Sequence, residues 1–137
     1  MIIRKLTIND LSFLLEVRND ETTRKFLEND SVFTYEECKD WFETNKPEWF
    51  IIEENNNLIG YIRTNKDEIG CDIHPNFRRK GYAKKAYKKF LKNKKYASLW
   101  VFDDNFAKNL YASLGFKENG NKKIVRDRLY IEMAYYK

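Results

Sequence analysis

Apolar residues recur along this chain in two rhythms, every second position or every three to four, and the places where the rhythm changes outline its elements. Ile2 to Leu6 reads as an opening strand. Asn9 or Asp10 then caps a helix carrying Leu11, Phe13, Leu14, Leu15 and Val17, a pattern broken at Arg18-Asn19-Asp20. A short helix around Thr22 to Leu27 follows. Thr34, with Glu37 three residues on, forms a capping box for a helix containing Cys38, Trp41 and Phe42, which Pro47 ends. Glu48 to Glu53 and Leu58 to Arg63 are two strands joined by the Asn55-Asn56-Asn57 turn, and Thr64 to Asp67 turns into a third, giving an antiparallel meander.

That third strand, Glu68-Ile69-Gly70-Cys71-Asp72-Ile73, closes at His74-Pro75, because proline cannot continue a ladder. Beyond it, Tyr82, Ala83, Ala86, Tyr87, Phe90 and Leu91 share one helical face and lysines fill the other. A strand at 98–102, a helix at 105–114 stopped by Gly115, and two closing strands near Phe116 to Glu118 and Arg128 to Tyr135 complete the chain. The polar stretch Asn119 to Asp127 is expected to be a hairpin loop between the last two.

Between the third meander strand and the lysine-rich helix lies Phe77-Arg78-Arg79-Lys80-Gly81-Tyr82-Ala83. A loop running straight into a helix offers unpaired backbone N–H groups and the positive end of the helix dipole, and glycine lets an anion come close. Arg78, Arg79 and Lys80 add positive charge at the same place. Together these features describe a phosphate-gripping loop.

Here the chain resembles the Gcn5-related N-acetyltransferases, whose pyrophosphate loop carries Arg or Gln, then x-x-Gly-x-Gly or Ala, matched by Arg78, Gly81 and Ala83. A second block is similar as well: strand Leu99-Trp100-Val101-Phe102, then Asp103-Asp104-Asn105, then Leu110-Tyr111-x-x-Leu114-Gly115-Phe116. The resemblance implies an α+β fold, a mixed and mostly antiparallel central sheet flanked by helices in the order β-α-α-β-β-β-α-β-α-β-β. It further implies acetyl-CoA as cosubstrate and direct attack by a primary amine in a ternary complex. In the same comparison the amides from Arg79 through Lys80, Gly81 and Tyr82 to Ala83 bind the pyrophosphate. The backbone near Ile73 pairs with the pantetheine arm, and the fourth and fifth strands splay to admit it. Tyr111 protonates the departing thiolate, with a packing role for its ring as the competing reading. Asp72 and Glu68 are candidates for the base that deprotonates the amine. The cofactor-binding asparagine of the family falls on Asp104 when counted back from Tyr111, with Asn105 one residue later.

Composition narrows the partners. At 137 residues, with 42% apolar and 16% aromatic content, the chain suits one domain spanning residues 1–137, and no apolar run is long enough to cross a bilayer. Its N-terminus lacks a signal-peptide pattern, so the expected location is cytoplasmic. Cys38, Cys71 and the lone His74 cannot assemble a metal site. The net charge of +5 is concentrated between Arg78 and Lys95, where Lys84, Lys85, Lys88, Lys89 and Lys92 read as a solvated helix face. A noncatalytic nucleic-acid-binding module would account for that charge and leave Gly81 and Tyr111 unexplained.

Arg18 and Asn19 are the candidates for acceptor binding. The first helices resemble those of ribosomal-protein N-terminal and nucleotide-linked amino-sugar acetyltransferases. A small polar amine, such as a nucleotide-linked amino sugar, is the expected acceptor. A protein N-terminus or lysine is the alternative, and a polyamine suits the positive chain less well. The expected assembly is a monomer or homodimer.

Overall fold

A computed structural model describes all residues from Met1 to Lys137. Seven strands form one sheet: β1 (Ile2–Lys5), β2 (Phe50–Glu54), β3 (Asn57–Asn65), β4 (Glu68–Ile73), β5 (Tyr96–Phe102), β6 (Lys117–Val125) and β7 (Arg128–Tyr136). Their order is β1-β2-β3-β4-β5-β7-β6, and every pair is antiparallel except β4 with β5. The helices are α1 (Leu11–Arg18), α2 (Glu21–Arg24), α3 (Tyr35–Asn45), α4 (Tyr82–Leu91) and α5 (Ala107–Ser113).

Alternation along the strands divides the core between the two sheet faces. One face of β2 and β3 packs Ile51 and Tyr61 against Leu11, Leu14 and Val17 of α1 and Cys38 of α3. On the opposite face Ile52, Ile62 and Ile73 meet Ala86, while Ile69, Leu99, Val101, Ile131 and Met133 meet Tyr87 and Leu91. Thus α4 packs across one side of the sheet with α5 beside it, whereas α1 and α3 cover only the amino-terminal half of the other. The uncovered part carries Trp100 and Tyr130, their rings stacked 5.6 Å apart.

The expected α3 capping box is present: Glu37 N–H donates to Thr34 Oγ1 and Thr34 N–H donates to Glu37 Oε1. Lys46, left-handed at φ 45°, already stops this helix one residue before Pro47. One expectation is corrected. Residues 119–125 are strand rather than loop, and the β6–β7 hairpin turns tightly at Arg126-Asp127, with φ of 49° and 61°. The sequence bias hid this because two-residue turns of this kind usually carry Asn-Gly or Asp-Gly.

Candidate active site

The Phe77–Ala83 loop runs from strand into helix as its sequence suggests. A 3₁₀ turn at Pro75–Phe77 ends β4, Arg79 is left-handed at φ 60°, and Gly81, left-handed at φ 81°, begins α4. No side chain caps α4, so the first amides of the helix are open to an anion from solvent. Arg79 and Lys80 are exposed beside them. Arg78 departs from expectation, because its guanidinium turns back into the fold. Nε donates to Ile73 O at 3.1 Å, Nη1 to Thr22 Oγ1, and Nη2 to Thr23 Oγ1 at 2.6 Å. It ties the loop to α2 across the end of β4.

Beside this loop the sheet opens. Parallel β4 and β5 meet at a single residue pair, Glu68 with Ser98, and diverge from there toward Ile73 and Phe102. The resulting cleft, about 260 Å³, passes through the sheet and is lined on the α4 side by Cys71, Ile73, Ala83, Tyr87, Asn105, Leu110 and Tyr111. An extended chain entering it would find β4 free of strand pairing on this side beyond Glu68, with the Ile73 carbonyl already held by Arg78 Nε, and the small Ala83 at the helix start.

Tyr111 owes its position to the end of α5. Phe116 N–H donates to Tyr111 O and Gly115 N–H to Ala112 O, with Gly115 at φ 102°; this is a Schellman motif. The rings of Phe116 and Tyr111 stand edge to face at 6.2 Å, and Tyr87 meets Tyr111 the same way at 5.7 Å. The Leu-Tyr-x-x-Leu-Gly-Phe spacing is therefore a helix terminus that seats one phenol in the cleft. Burial pushes the Tyr111 hydroxyl up to about 12, partly offset by the Tyr87 phenol. Tyr111 consequently stays protonated at neutral pH.

Asp72 reaches the cleft from the opposite face. Its Oδ2 lies 3.0 Å from Arg63 Nε, but the N–H is not aligned for a hydrogen bond, and the buried Tyr61 hydroxyl beside them is also unpartnered. From this cluster a groove extends past Gly70, Trp100 and Tyr130 to Glu68. Glu68 thus sits down the groove, at the strand crossing, and Asp72 at the cleft itself. Arg63 and Tyr61 were not legible as site residues. Their i, i+2 spacing fixes only a shared face, and the one further signal, Gly70 opposite Arg63, lies on another strand.

The turn after β5 places Asp104 and Asn105 differently. Asp104 points outward, its carboxylate 2.9 Å from Arg128 Nη2, and it does not line the cleft. Asn105 does line it, although its Oδ1 already accepts the Ala107 N–H at 2.9 Å. Arg18 and Asn19, the expected acceptor-binding residues, both brace the loop between α2 and α3. Arg18 donates to Asn29 O and Ser31 O, while Asn19 donates to Phe33 O and accepts from Phe33 N–H. Arg18 lines an apolar gap between α1 and α3 instead of the cleft.

Residues 13–116 match the sequence model of the acetyltransferase (GNAT) family. The chain belongs to that family. It is an acetyl-CoA-dependent N-acetyltransferase. None of the curated proteins matches it in sequence. Solved structures match it in fold. The spermidine N-acetyltransferase of Vibrio cholerae, in complex with CoA and spermine, is 21% identical with a TM-score of 0.89, covering 98% of this chain and 94% of that one. The ribosomal-protein-alanine N-acetyltransferase of Brucella melitensis is 19% identical with a TM-score of 0.80 and full coverage of both chains (100% each). An N-acetyltransferase from Staphylococcus aureus Mu50 is 21% identical with a TM-score of 0.77, over 98% and 97%. No helix of this GNAT chain is long and apolar enough to cross a membrane.

Proposed function

We propose that this chain acetylates the primary amine of a small polar acceptor, with a nucleotide-linked amino sugar the first candidate. The observation that carries the reading is the through-sheet cleft, which places Tyr111 on its α4 side and Asp72 on the side where the sheet lacks a helix. Bound acetyl-CoA supplies the activated acetyl thioester. The amides of Tyr82 and Ala83 at the start of α4, with Arg79, Lys80 and the backbone of Gly81, hold its pyrophosphate, and the open edge at Ile73 holds its pantetheine arm. Asn105 borders that arm.

The acceptor arrives as an ammonium, which must lose a proton at a cost on the order of 4 to 5 kcal/mol at pH 7. Asp72 Oδ2, buried at the cleft and without a hydrogen-bond partner, takes that proton directly or through water. Glu68 serves the far end of the groove, where it orients the acceptor. Tyr111 gives a proton to the departing sulfur. Cys71 takes no covalent part, because burial, reinforced by Asp72, pushes its thiol far up and keeps it un-ionised, which favours direct attack by the amine.

The Vibrio structure holds spermine. A polycation suits this groove less well, since Arg63 lies in its floor and Lys123 covers Trp100, its Nζ 4.6 Å from the ring centre. The test is mass spectrometry of the protein with acetyl-CoA and, separately, a nucleotide-linked amino sugar, spermidine and a short peptide with a free N-terminus. A gain of one acetyl group on the sugar is the expected result. Acetylation confined to spermidine or to the peptide overturns the proposal.

A further inference from the structure

We infer that Arg63 selects the acceptor by gripping an anionic group, a phosphate or carboxylate, carried on the same small molecule as the reactive amine. The inference rests on the small-acceptor reading and adds the group that the acceptor must bear. Arg63 lies on β3 opposite Gly70 of β4. A Cβ at Gly70 would come within 2.4 Å of Arg63 Nη2 and 2.5 Å of Cζ, so the missing side chain is the slot in which the guanidinium lies. Any larger residue at Gly70 would lift the guanidinium from the sheet.

The orientation within that slot decides what the guanidinium can bind. Nε faces Asp72, and neither Nη1 nor Nη2 has a hydrogen-bond or ion-pair partner in the protein. Arg63 lines both the cleft and the groove. Burial would lower its pKa, but Asp72 and the surrounding phenols outweigh that, and the charge is retained. A fixed, charged fork with a free edge suits a bidentate oxyanion better than a lone pair or a cation. Asp72, on the other edge of the same guanidinium, then stands beside the ammonium of the same molecule. The flanking Trp100 and Tyr130 rings give the acceptor's carbon skeleton a stacked wall.

Other parts of the molecule do not supply this grip. The remaining arginines near the acceptor side are committed to backbone carbonyls or to a carboxylate: Arg18 to Asn29 and Ser31, Arg24 to Asn19 and Asp30, Arg126 to Lys25 and Leu27, and Arg128 to Lys25 and Asp104. Arg63 is the one whose terminal nitrogens are free at the cleft.

The test compares matched acceptors, glucosamine 6-phosphate with glucosamine and glycine with ethylamine, in wild type, Arg63→Gln and Arg63→Lys. Wild type should show a KM about 10- to 10²-fold lower for the anionic member of each pair, the range expected for a charge-assisted pair. Arg63→Gln should erase that difference by raising KM for the anionic member alone, while any change in kcat from removing the charge beside Asp72 falls equally on both members of a pair, and Arg63→Lys should restore part of the difference. As a readout independent of turnover, calorimetry should detect inorganic phosphate binding to CoA-saturated wild type and not to CoA-saturated Arg63→Gln. Equal use of both members by wild type, or a preference that survives in Arg63→Gln, overturns the assignment and leaves the small-acceptor reading standing. Turnover of spermidine or peptide with neither pair accepted refutes the small-acceptor reading and this inference with it.

Discussion

Tyr111 has two jobs in one ring: it packs against Tyr87 and Phe116 and it presents a hydroxyl to the cleft. The two are separable. Tyr111→Phe keeps the packing and removes only the proton donor, so turnover should fall roughly 10²-fold with melting temperature and CoA affinity nearly unchanged. Full activity in that variant would remove the hydroxyl from the mechanism. The same burial has a consequence for stability. Tyr111 and Tyr130 are raised by burial from 10.0 to about 12, and Tyr61 and Tyr87 well above 10.0. Between pH 10 and 12 the folded chain therefore binds more protons than the unfolded one. That stabilisation is complete below about pH 10 and is lost as pH rises through 12. Urea midpoints from pH 9 to 11 should fall steeply in wild type and less steeply in Tyr111→Phe/Tyr130→Phe; equal slopes would contradict the assignment. From the sequence Tyr111 was legible because a local motif seats it. Arg63 and Tyr61 were not, because their neighbours Gly70 and Asp72 come from another strand.

At the scale of elements, the loop-to-helix junction at Gly81 gives the clearest test of cofactor binding. Gly81 is left-handed, and a Cβ there would meet no atom within 4 Å. Gly81→Ala should therefore cost about 1 to 2 kcal/mol of stability through backbone strain, with little loss of CoA affinity. Gly81→Glu adds a negative charge at the proposed pyrophosphate site and should weaken CoA binding roughly tenfold or more, about 1.4 kcal/mol, by calorimetry. Unchanged affinity in a folded Gly81→Glu protein would move the pyrophosphate site elsewhere. Elements set by local chemistry were read closely from the sequence: the Thr34–Glu37 capping box, the Asn55-Asn56 turn and the Gly115 helix stop all stand where expected. The length of β6, read as a hairpin loop from Asn119 onward, was missed for a reason of the same kind. The strand is polar because all but its last residue is exposed, and its turn forces Arg126 and Asp127 into a conformation that their side chains rarely signal.

Across the whole molecule, the positive charge belongs mainly to a solvated helix. Lys85 pairs with Glu54 at 2.5 Å and Lys89 donates to Met1 O, so part of the face is engaged in holding α4 to the N-terminal strands. The combined variant Lys85→Gln/Lys88→Gln/Lys92→Gln should keep acetyl-CoA-dependent turnover within about twofold, with at most a small loss of stability from the exposed Lys85 pair. Tight nucleic-acid binding by wild type, steeply salt-dependent and lost in the triple variant, would instead make that face an interface. The sequence by itself determined the order of elements, the loop-to-helix junction at Gly81 and the phenol at the helix end, because periodicity, caps and glycine conformations act over a few neighbouring residues. Only the tertiary structure decided which charges are free. Folding committed Arg18, Asn19, Arg78 and Asp104 to partners distant along the chain and laid Arg63 over Gly70 with two nitrogens open to the cleft, and such pairings depend on how separate strands and helices pack, which no local pattern encodes.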